Sequence, residues 1–248
     1  DLIWGLNPVR EALEHHPRNI SEVRVLKGKA GPRYQEIIDL CRANRVRLRF
    51  ARQQQLGVPA GCRHQGVAAS QGEIIFIPLA ELVERELSSP TGALPKILVL
   101  DSLQDPRNLG AVLRSALAAG FISVIVTRER SAPISGAVVS TSAGAAGRVS
   151  ISRAVNLTDT LHMIKQQGFW VFGAVSDPAA RSLYEVDLAV PLCLVVGSES
   201  RGIRPLVRKQ CDQLLTIPMQ GECDSLNVSV AAAVIMFEAL RQQSAAAR

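Results

Sequence analysis

The chain has 248 residues, with 28 basic against 22 acidic side chains for a formal charge of +6, and 47% of its residues are hydrophobic. That length accommodates one large or two modest domains with a buried core, and the basic surplus suits a polyanionic partner without requiring one. Five cysteines (Cys41, Cys62, Cys193, Cys211, Cys223) are odd in number, scattered and without a C-x-x-C pair, which points away from a disulfide framework or zinc site and toward reduced thiols in a cytoplasm. No apolar run approaches the roughly 20 residues of a membrane span, and no basic-then-apolar signal opens the chain.

Residues 1–75 read as a small α/β domain. Asn7 and Pro8 offer an N-cap followed by proline at the first helical position, with Val9, Ala12 and Leu13 at helical spacing. Val23–Leu26 is strand-like, Tyr34–Ala43 is helix-like with Ile37, Ile38 and Cys41 on one face, and Val46–Phe50 alternates apolar with basic residues. The alternation predicts Arg47 and Arg49 together on the face opposite the apolar side chains. His64, Gln65, Gly66 and Val67 read as a turn entering a strand. Residues 76–95 form a linker, with Ser88–Pro95 turn-rich and a short helix over Leu79–Leu87.

From residue 96 to 248, strand and helix signals alternate. Ile97–Leu100, Val124–Val126, Trp170–Val175, Leu192–Val196 and Leu214–Ile217 are short apolar runs of the kind buried on both faces of a sheet. Helical patterns over Leu109–Ala119, Gly136–Gly144, Leu157–Gln166, Pro205–Cys211 and Leu226–Gln242 separate them, which predicts a parallel sheet covered by helices. A dinucleotide-binding dehydrogenase is the obvious rival, but its G-x-G-x-x-G turn does not follow the first strand, where Asp105, Pro106, Arg107, Asn108, Leu109 and Gly110 stand instead. Small or apolar residues run almost all the way round Leu226–Leu240, more apolar surface than one sheet face covers. Ser244–Arg248 reads as a frayed tail.

Three segments at strand-to-helix junctions carry the chemistry. They are Asn108-x-Gly110-x-x-x-Arg114, Gly197-x-Glu199-x-x-Gly202, and Ser225, Leu226, Asn227, Val228 and Ser229 at the mouth of the last helix. Glycine-rich turns there gather backbone N–H groups, a carboxylate and amides around one crevice. In this order the segments resemble the three motifs of the SpoU/TrmH branch of the SPOUT RNA 2′-O-methyltransferases. The opening stretch Gly5–Leu13 and His64–Val67 resemble the N-terminal domain of the members that act on a guanosine of 23S rRNA, a domain similar to a ribosomal-protein RNA-binding fold.

The resemblance implies an α/β chain whose C-terminal SPOUT domain holds a parallel sheet with a trefoil knot, although base rates run strongly against knots. It implies S-adenosyl-L-methionine as cofactor, no metal, an rRNA partner, and a homodimer through the C-terminal helix, with Val234, Phe237 and Leu240 as candidate contacts. The motif arginine falls on Arg114, with Glu199 and Asn108 orienting it and Ser225 and Asn227 fixing its partner groups and the nucleotide. Gly197, Ile217, Leu226, Met219 and Gly202 are the cofactor-binding candidates, and Arg47, Arg49, Arg63, His64 and Gln65 the RNA-binding ones, with Arg33 and Arg52 as further phosphate contacts. Each has an alternative role open. Arg114 can be a helix-surface ion-pair partner, Asn108 a cap, Ser225 or Asp224 the N-cap of the long helix, Ile217 and Leu226 core residues, and the N-terminal arginines solvated charges. Asn227, expected in the first helical turn, has the least structural excuse. His15, His16, His64 and His162 lie outside the motifs, so no histidine base is expected. A tRNA methyltransferase, or a non-catalytic RNA-binding assembly factor on the same scaffold, remain the alternatives.

Overall fold

The computed structural model describes residues 2–15, 17, 20–59, 61–71, 76–89, 93–220 and 225–246, so the expectations on His16, Cys223 and Asp224, and part of the linker, lie outside the described residues. In chain order the strands are β1 (Leu2–Trp4), β2 (Ile20–Leu26), β3 (Arg47–Ala51), β4 (Val67–Gln71), β5 (Lys96–Leu100), β6 (Ser123–Thr127), β7 (Ser150–Ala154), β8 (Trp170–Ala174), β9 (Arg181–Ser182), β10 (Leu192–Val196) and β11 (Gln213–Thr216). The α-helices are α1 (Leu6–His15), α2 (Pro32–Ala43), α3 (Leu79–Leu87), α4 (Pro106–Ala118), α5 (Gly136–Thr141), α6 (Leu157–Gln166), α7 (Pro205–Arg208) and α8 (Val228–Ala246). They form two compact units, residues 1–75 with 133–148, and residues 76–132 with 149–248.

The first unit is a four-stranded sheet in the order β1-β4-β2-β3, in which only β2 and β3 run parallel. Helix α1 starts at Leu6, two residues earlier than a cap at Asn7 would allow, because Gln65 Oε1 reaches across the unit to accept the Leu6 N–H at 3.0 Å. A side chain remote in sequence thus supplies the missing cap acceptor. The edge strand β3 exposes Arg47 and Arg49 as its alternation predicts, yet Phe50 on the other face is also 49% exposed. Segment 133–148 joins this unit, with Arg148 3.9 Å from Glu11. No hydrophobic period or turn signal marks that membership.

The second unit carries a fully parallel seven-stranded sheet in the order β7-β6-β5-β10-β8-β11-β9. Strands β5, β6 and β10 are buried at every position, which is why their central residues are continuous apolar runs rather than alternating ones. Strand β7, whose Ser-Ile-Ser-Arg-Ala sequence alternates, and the two-residue β9 are additional to the predicted elements, and both lie at sheet edges. The core between sheet and helices includes Val99, Ile125, Leu161, Phe169 and Val195. Helix α7 ends at Arg208 rather than continuing to Cys211, and α8 extends through Ala246, past the point where a frayed tail was expected. The tail is held because Gln243 is buried and its Nε2 donates to the carbonyls of Leu188 and Val190 at 3.1 and 3.4 Å.

Candidate active site

The chain runs outward from β5 through β6 to β7, then returns to build β8 and β10 on the other side of β5. Parallel sheets bind ligands at the carboxyl ends of strands beside such a reversal, because the loops there diverge and leave a crevice. The crevice here is a cavity of about 750 Å³, within the range of small-molecule sites. Its walls are the segments that leave β8 (Ala174–Pro178), β10 (Val196–Ile203) and β11 (Thr216, Ile217, Met219), closed by Ser225–Val228 at the mouth of α8. All five cofactor candidates, Gly197, Gly202, Ile217, Met219 and Leu226, line it, as do Glu199, Ser225 and Asn227.

Two glycines shape the loop after β10. A Cβ placed on Gly197 would overlap the Gly202 carbonyl carbon and the Ile203 nitrogen, so the loop folds back against its own start only because no side chain intervenes. Gly202 occupies the left-handed region at φ 61, and its N–H and carbonyl exchange hydrogen bonds with Ser198 at 3.0 Å. The far end of the loop is anchored by Asp101, fully buried after β5, which accepts the Arg204 N–H at 2.9 Å and its Nε–H at 2.6 Å. Because Asp101 is fully buried while Arg204 is 38% exposed, removing the arginine would leave a buried carboxylate with only neutral donors. Asp101 and Arg204 lie outside the three motifs and were not among the sequence candidates. The only sequence signal was an aspartate ending an otherwise apolar strand.

The three motifs meet in a chain of side-chain hydrogen bonds. Glu199 Oε1 accepts from Asn108 Nδ2 at 3.0 Å and from the Asp105 N–H at 3.2 Å, and Oε2 accepts from the Gln104 N–H at 3.5 Å. Asn108 Oδ1 in turn accepts from Asn227 Nδ2 at 3.1 Å. Asn227 Oδ1 accepts from the Ser229 N–H at 2.9 Å and from its hydroxyl at 2.6 Å. Burial pushes the Glu199 carboxyl up, but the Asn108 amide and the backbone N–H groups outweigh it, so the group lies below its ordinary value and stays ionised.

These contacts reverse the expected division of capping roles. Asn108 does not cap α4. Asp105 does, accepting the Arg107 N–H at 2.7 Å ahead of Pro106 at the first helical position. Asn108 sits one turn inside, free to bridge Glu199 and Asn227. Conversely, Asn227 precedes α8 as its cap, its carbonyl accepting the Ala231 N–H at 2.9 Å, and Ser225 lies outside that role. Asn227 thus has a structural role as well, since asparagine is favoured at an N-cap. Asp105 directly before Pro106 is itself a sequence signal for the start of α4.

Arg114 is not drawn into the chain. It is exposed on α4 and, among the described residues, has no hydrogen bond or ion pair, while Glu199 spends its acceptors on Asn108 and backbone N–H groups. Six residues separate Asn108 from Arg114, which puts them about 9 Å apart along the helix and roughly 120° apart around it. The N-terminal candidates belong to the first unit. Arg47, Arg49 and Arg63 are exposed, as are Arg33 and Arg52, and Arg47 Nε lies 3.4 Å from Glu22. His64 Nδ1 accepts the Gly66 N–H at 3.0 Å, and Gln65 caps α1, with its carbonyl accepting the Tyr34 hydroxyl at 2.7 Å. Those contacts give His64 and Gln65 a structural role within the turn.

Comparison with known proteins agrees with this arrangement. Residues 95–237 match the SpoU rRNA Methylase family, and residues 2–71 match the RNA 2'-O ribose methyltransferase substrate-binding family. A relative from Xanthomonas axonopodis pv. citri, named 23S rRNA (guanosine-2'-O-)-methyltransferase RlmB, is 42% identical over 97% of this chain and 96% of its own. Among solved structures, an RNA 2'-O ribose methyltransferase superposes with a TM-score of 0.75 at 29% identity, over 98% of this chain and 88% of that one. The A. aeolicus TrmH/SpoU tRNA modifying enzyme reaches a TM-score of 0.57 at 29% identity, over 68% of this chain and 84% of that one. With its three motifs linked by hydrogen bonds beside one cavity and both family matches in place, the chain belongs to the SpoU rRNA methylase family.

Proposed function

We propose that this protein transfers the methyl group of S-adenosyl-L-methionine to the ribose 2′-hydroxyl of a guanosine in 23S rRNA. The observation that carries the reading is the Glu199–Asn108–Asn227 chain, which joins all three motifs beside a cavity of small-molecule size. The cavity fits the cofactor: its volume suits a nucleoside-sized ligand, and the side-chain-free turn at Gly197 and Gly202 leaves main-chain groups accessible for adenosine and carboxylate. When bound, the cofactor supplies an electrophilic methyl group, so no metal or further electrophile is required.

What remains for the protein is positioning and charge. The loops after β8, β10 and β11 hold the cofactor, and Ser225 and Asn227 sit at the lip where a nucleotide enters. Arg114, carrying a guanidinium that stays charged in proteins, stabilises the alkoxide developing on the ribose, while the proton leaves to a phosphate oxygen or water. Being exposed and unpartnered among the described residues, Arg114 is available to an incoming RNA strand. Arg47, Arg49 and Arg63 on the first unit provide phosphate contacts that position the RNA without reading its sequence.

Two further features belong to the same reading. One is a C-terminal trefoil knot, and the insertion of β10 between β5 and β8, both formed earlier in the chain, supports it. Helix α8 leaves Val230 48% and Phe237 46% exposed, seven residues apart and thus on one face, with Val234 between them half-buried. That stripe, starting beside the cavity residues Leu226 and Asn227, is the homodimer interface. Among the described residues no helix is long and apolar enough to cross a membrane, and an rRNA substrate places the enzyme in the cytoplasm.

The test is transfer of labelled methyl groups from S-adenosylmethionine to 23S rRNA, to tRNA and to neither, followed by mapping of 2′-O-methyl positions. A single labelled guanosine in 23S rRNA is expected. Label confined to tRNA would favour the tRNA-acting alternative, and binding of cofactor or RNA without transfer would favour an assembly factor.

A further inference from the structure

Resting on that reading, we propose that Ser229 is a positioning residue: it locks the side-chain amides of Asn227 and Asn108 in the one orientation that leaves each a spare N–H donor for an oxygen of the ribose-phosphate substrate. A side-chain amide carries its acceptor and its donors on opposite arms, so either asparagine by itself fits its site equally well after a half-turn. The hydrogen-bond chain removes that freedom from both ends.

At one end stands Glu199, whose ionised carboxylate only accepts, so Asn108 must turn its Nδ2 toward it, as the 3.0 Å contact shows. At the other end stands the Ser229 N–H, which only donates, so Asn227 must turn its Oδ1 toward it at 2.9 Å. The Ser229 hydroxyl adds a second donor to the same oxygen at 2.6 Å, filling both of its lone pairs. The middle bond, Asn227 Nδ2 to Asn108 Oδ1 at 3.1 Å, is then the only pairing left. Turning Asn227 over would oppose its NH₂ to the Ser229 N–H and its oxygen to the Asn108 oxygen, and would give up the short bond from the Ser229 hydroxyl to Oδ1. Each NH₂ group uses one hydrogen within the chain; Asn227 is exposed where it lines the cavity and Asn108 is half-buried beside it, which leaves the second hydrogen of each for the substrate. A lip with two oriented amide donors suits an electron-rich oxygen such as that of a ribose or phosphate.

The backbone N–H of residue 229 survives any substitution, so the cap of α8 persists and the hydroxyl can be tested alone. In the full-length protein, Ser229→Ala is expected to lower kcat for rRNA roughly three- to tenfold, the effect of one hydrogen bond, with KM, cofactor affinity and melting temperature near wild type. Ser229→Thr, which restores the hydroxyl, should restore kcat. Asn227→Asp keeps the acceptor that caps α8 but deletes the donor to Asn108, and should lower kcat on the order of a hundredfold while the protein stays folded. An unchanged kcat in Ser229→Ala, or equal losses in the alanine and threonine variants, overturns the proposal. A second readout is independent of activity: the side-chain NH₂ signals of Asn108 and Asn227 should exchange with solvent faster in Ser229→Ala than in the wild type. If the wild type transfers no methyl group, the functional reading fails, and unaltered amide exchange in Ser229→Ala separately overturns the positioning role.

Discussion

Replacing Gly197 with alanine tests whether the cofactor loop depends on a backbone-to-backbone approach. The added Cβ would fall well inside 3.0 Å of the Gly202 carbonyl group and the Ile203 nitrogen, and these are main-chain atoms that cannot rotate away. The facing strand of the loop must therefore retreat by about 1 Å or more, pulling against the Asp101–Arg204 anchor. Overpacking of this kind costs about 1–3 kcal/mol. At about 2–4 °C per kcal/mol for a domain of this size, the melting temperature should fall measurably. Because the cavity is lined by the same loop, restoring its shape on binding weakens the cofactor by about 5- to 150-fold, at about 1.4 kcal/mol per tenfold. Gly202→Ala is the control: its Cβ meets nothing within 4 Å, so only the left-handed φ of 61 resists it, at about 1–2 kcal/mol. Calorimetric titration with S-adenosylmethionine and thermal unfolding of both variants decide the matter. Wild-type affinity and stability in Gly197→Ala, or a larger stability loss in Gly202→Ala, would refute the reasoning.

Arg114→Ala should reduce methyl transfer by on the order of a hundredfold or more while cofactor affinity changes only a few-fold, and the pH–rate profile should contain no ionisation that disappears with the arginine, as single-turnover kinetics can check. Substituting Arg47 and Arg49 with alanine should weaken rRNA binding at all sequences alike and lower the salt dependence by about one unit of log-log slope per arginine, measured by filter binding. Glu199 has a depressed pKa, so its contribution to the site is present above the ordinary value of 4.5 and is lost as pH falls through the lower folded value. Cofactor affinity should accordingly stay level from neutral pH down to about 5 and decline below it, and Glu199→Gln should flatten that decline. Phe237→Asp, on the exposed stripe of α8, should convert a dimer to a monomer by light scattering and reduce turnover, and a fully active monomeric wild type would sink the interface.

Much of the second unit was legible because burial on both sheet faces leaves a signal that composition cannot hide: Ile97–Leu100 in β5, Val124–Val126 in β6 and all of β10 are unbroken apolar runs, and Leu157–Gln166 is an amphipathic helix with its cap at Asn156. The glycines of the second motif likewise announced a tight turn, and all five cofactor candidates face one cavity. Local sterics and hydrophobic periodicity, which act within a few residues, determined the strands and the turn, whereas the cofactor candidates rest on the resemblance of the motifs to the family. What tertiary structure decided was every role that depends on a distant partner. Whether Asn108 or Asp105 capped α4, and whether Asn227 was cap or ligand, turned on Glu199 lying 91 residues from Asn108 and on Asn108 lying 119 from Asn227. Gln65, read as an RNA contact, caps α1 from 59 residues away. A polar side chain carries one of several possible hydrogen-bonding roles in its sequence, and only the fold, by choosing which donors and acceptors surround it, selects among them.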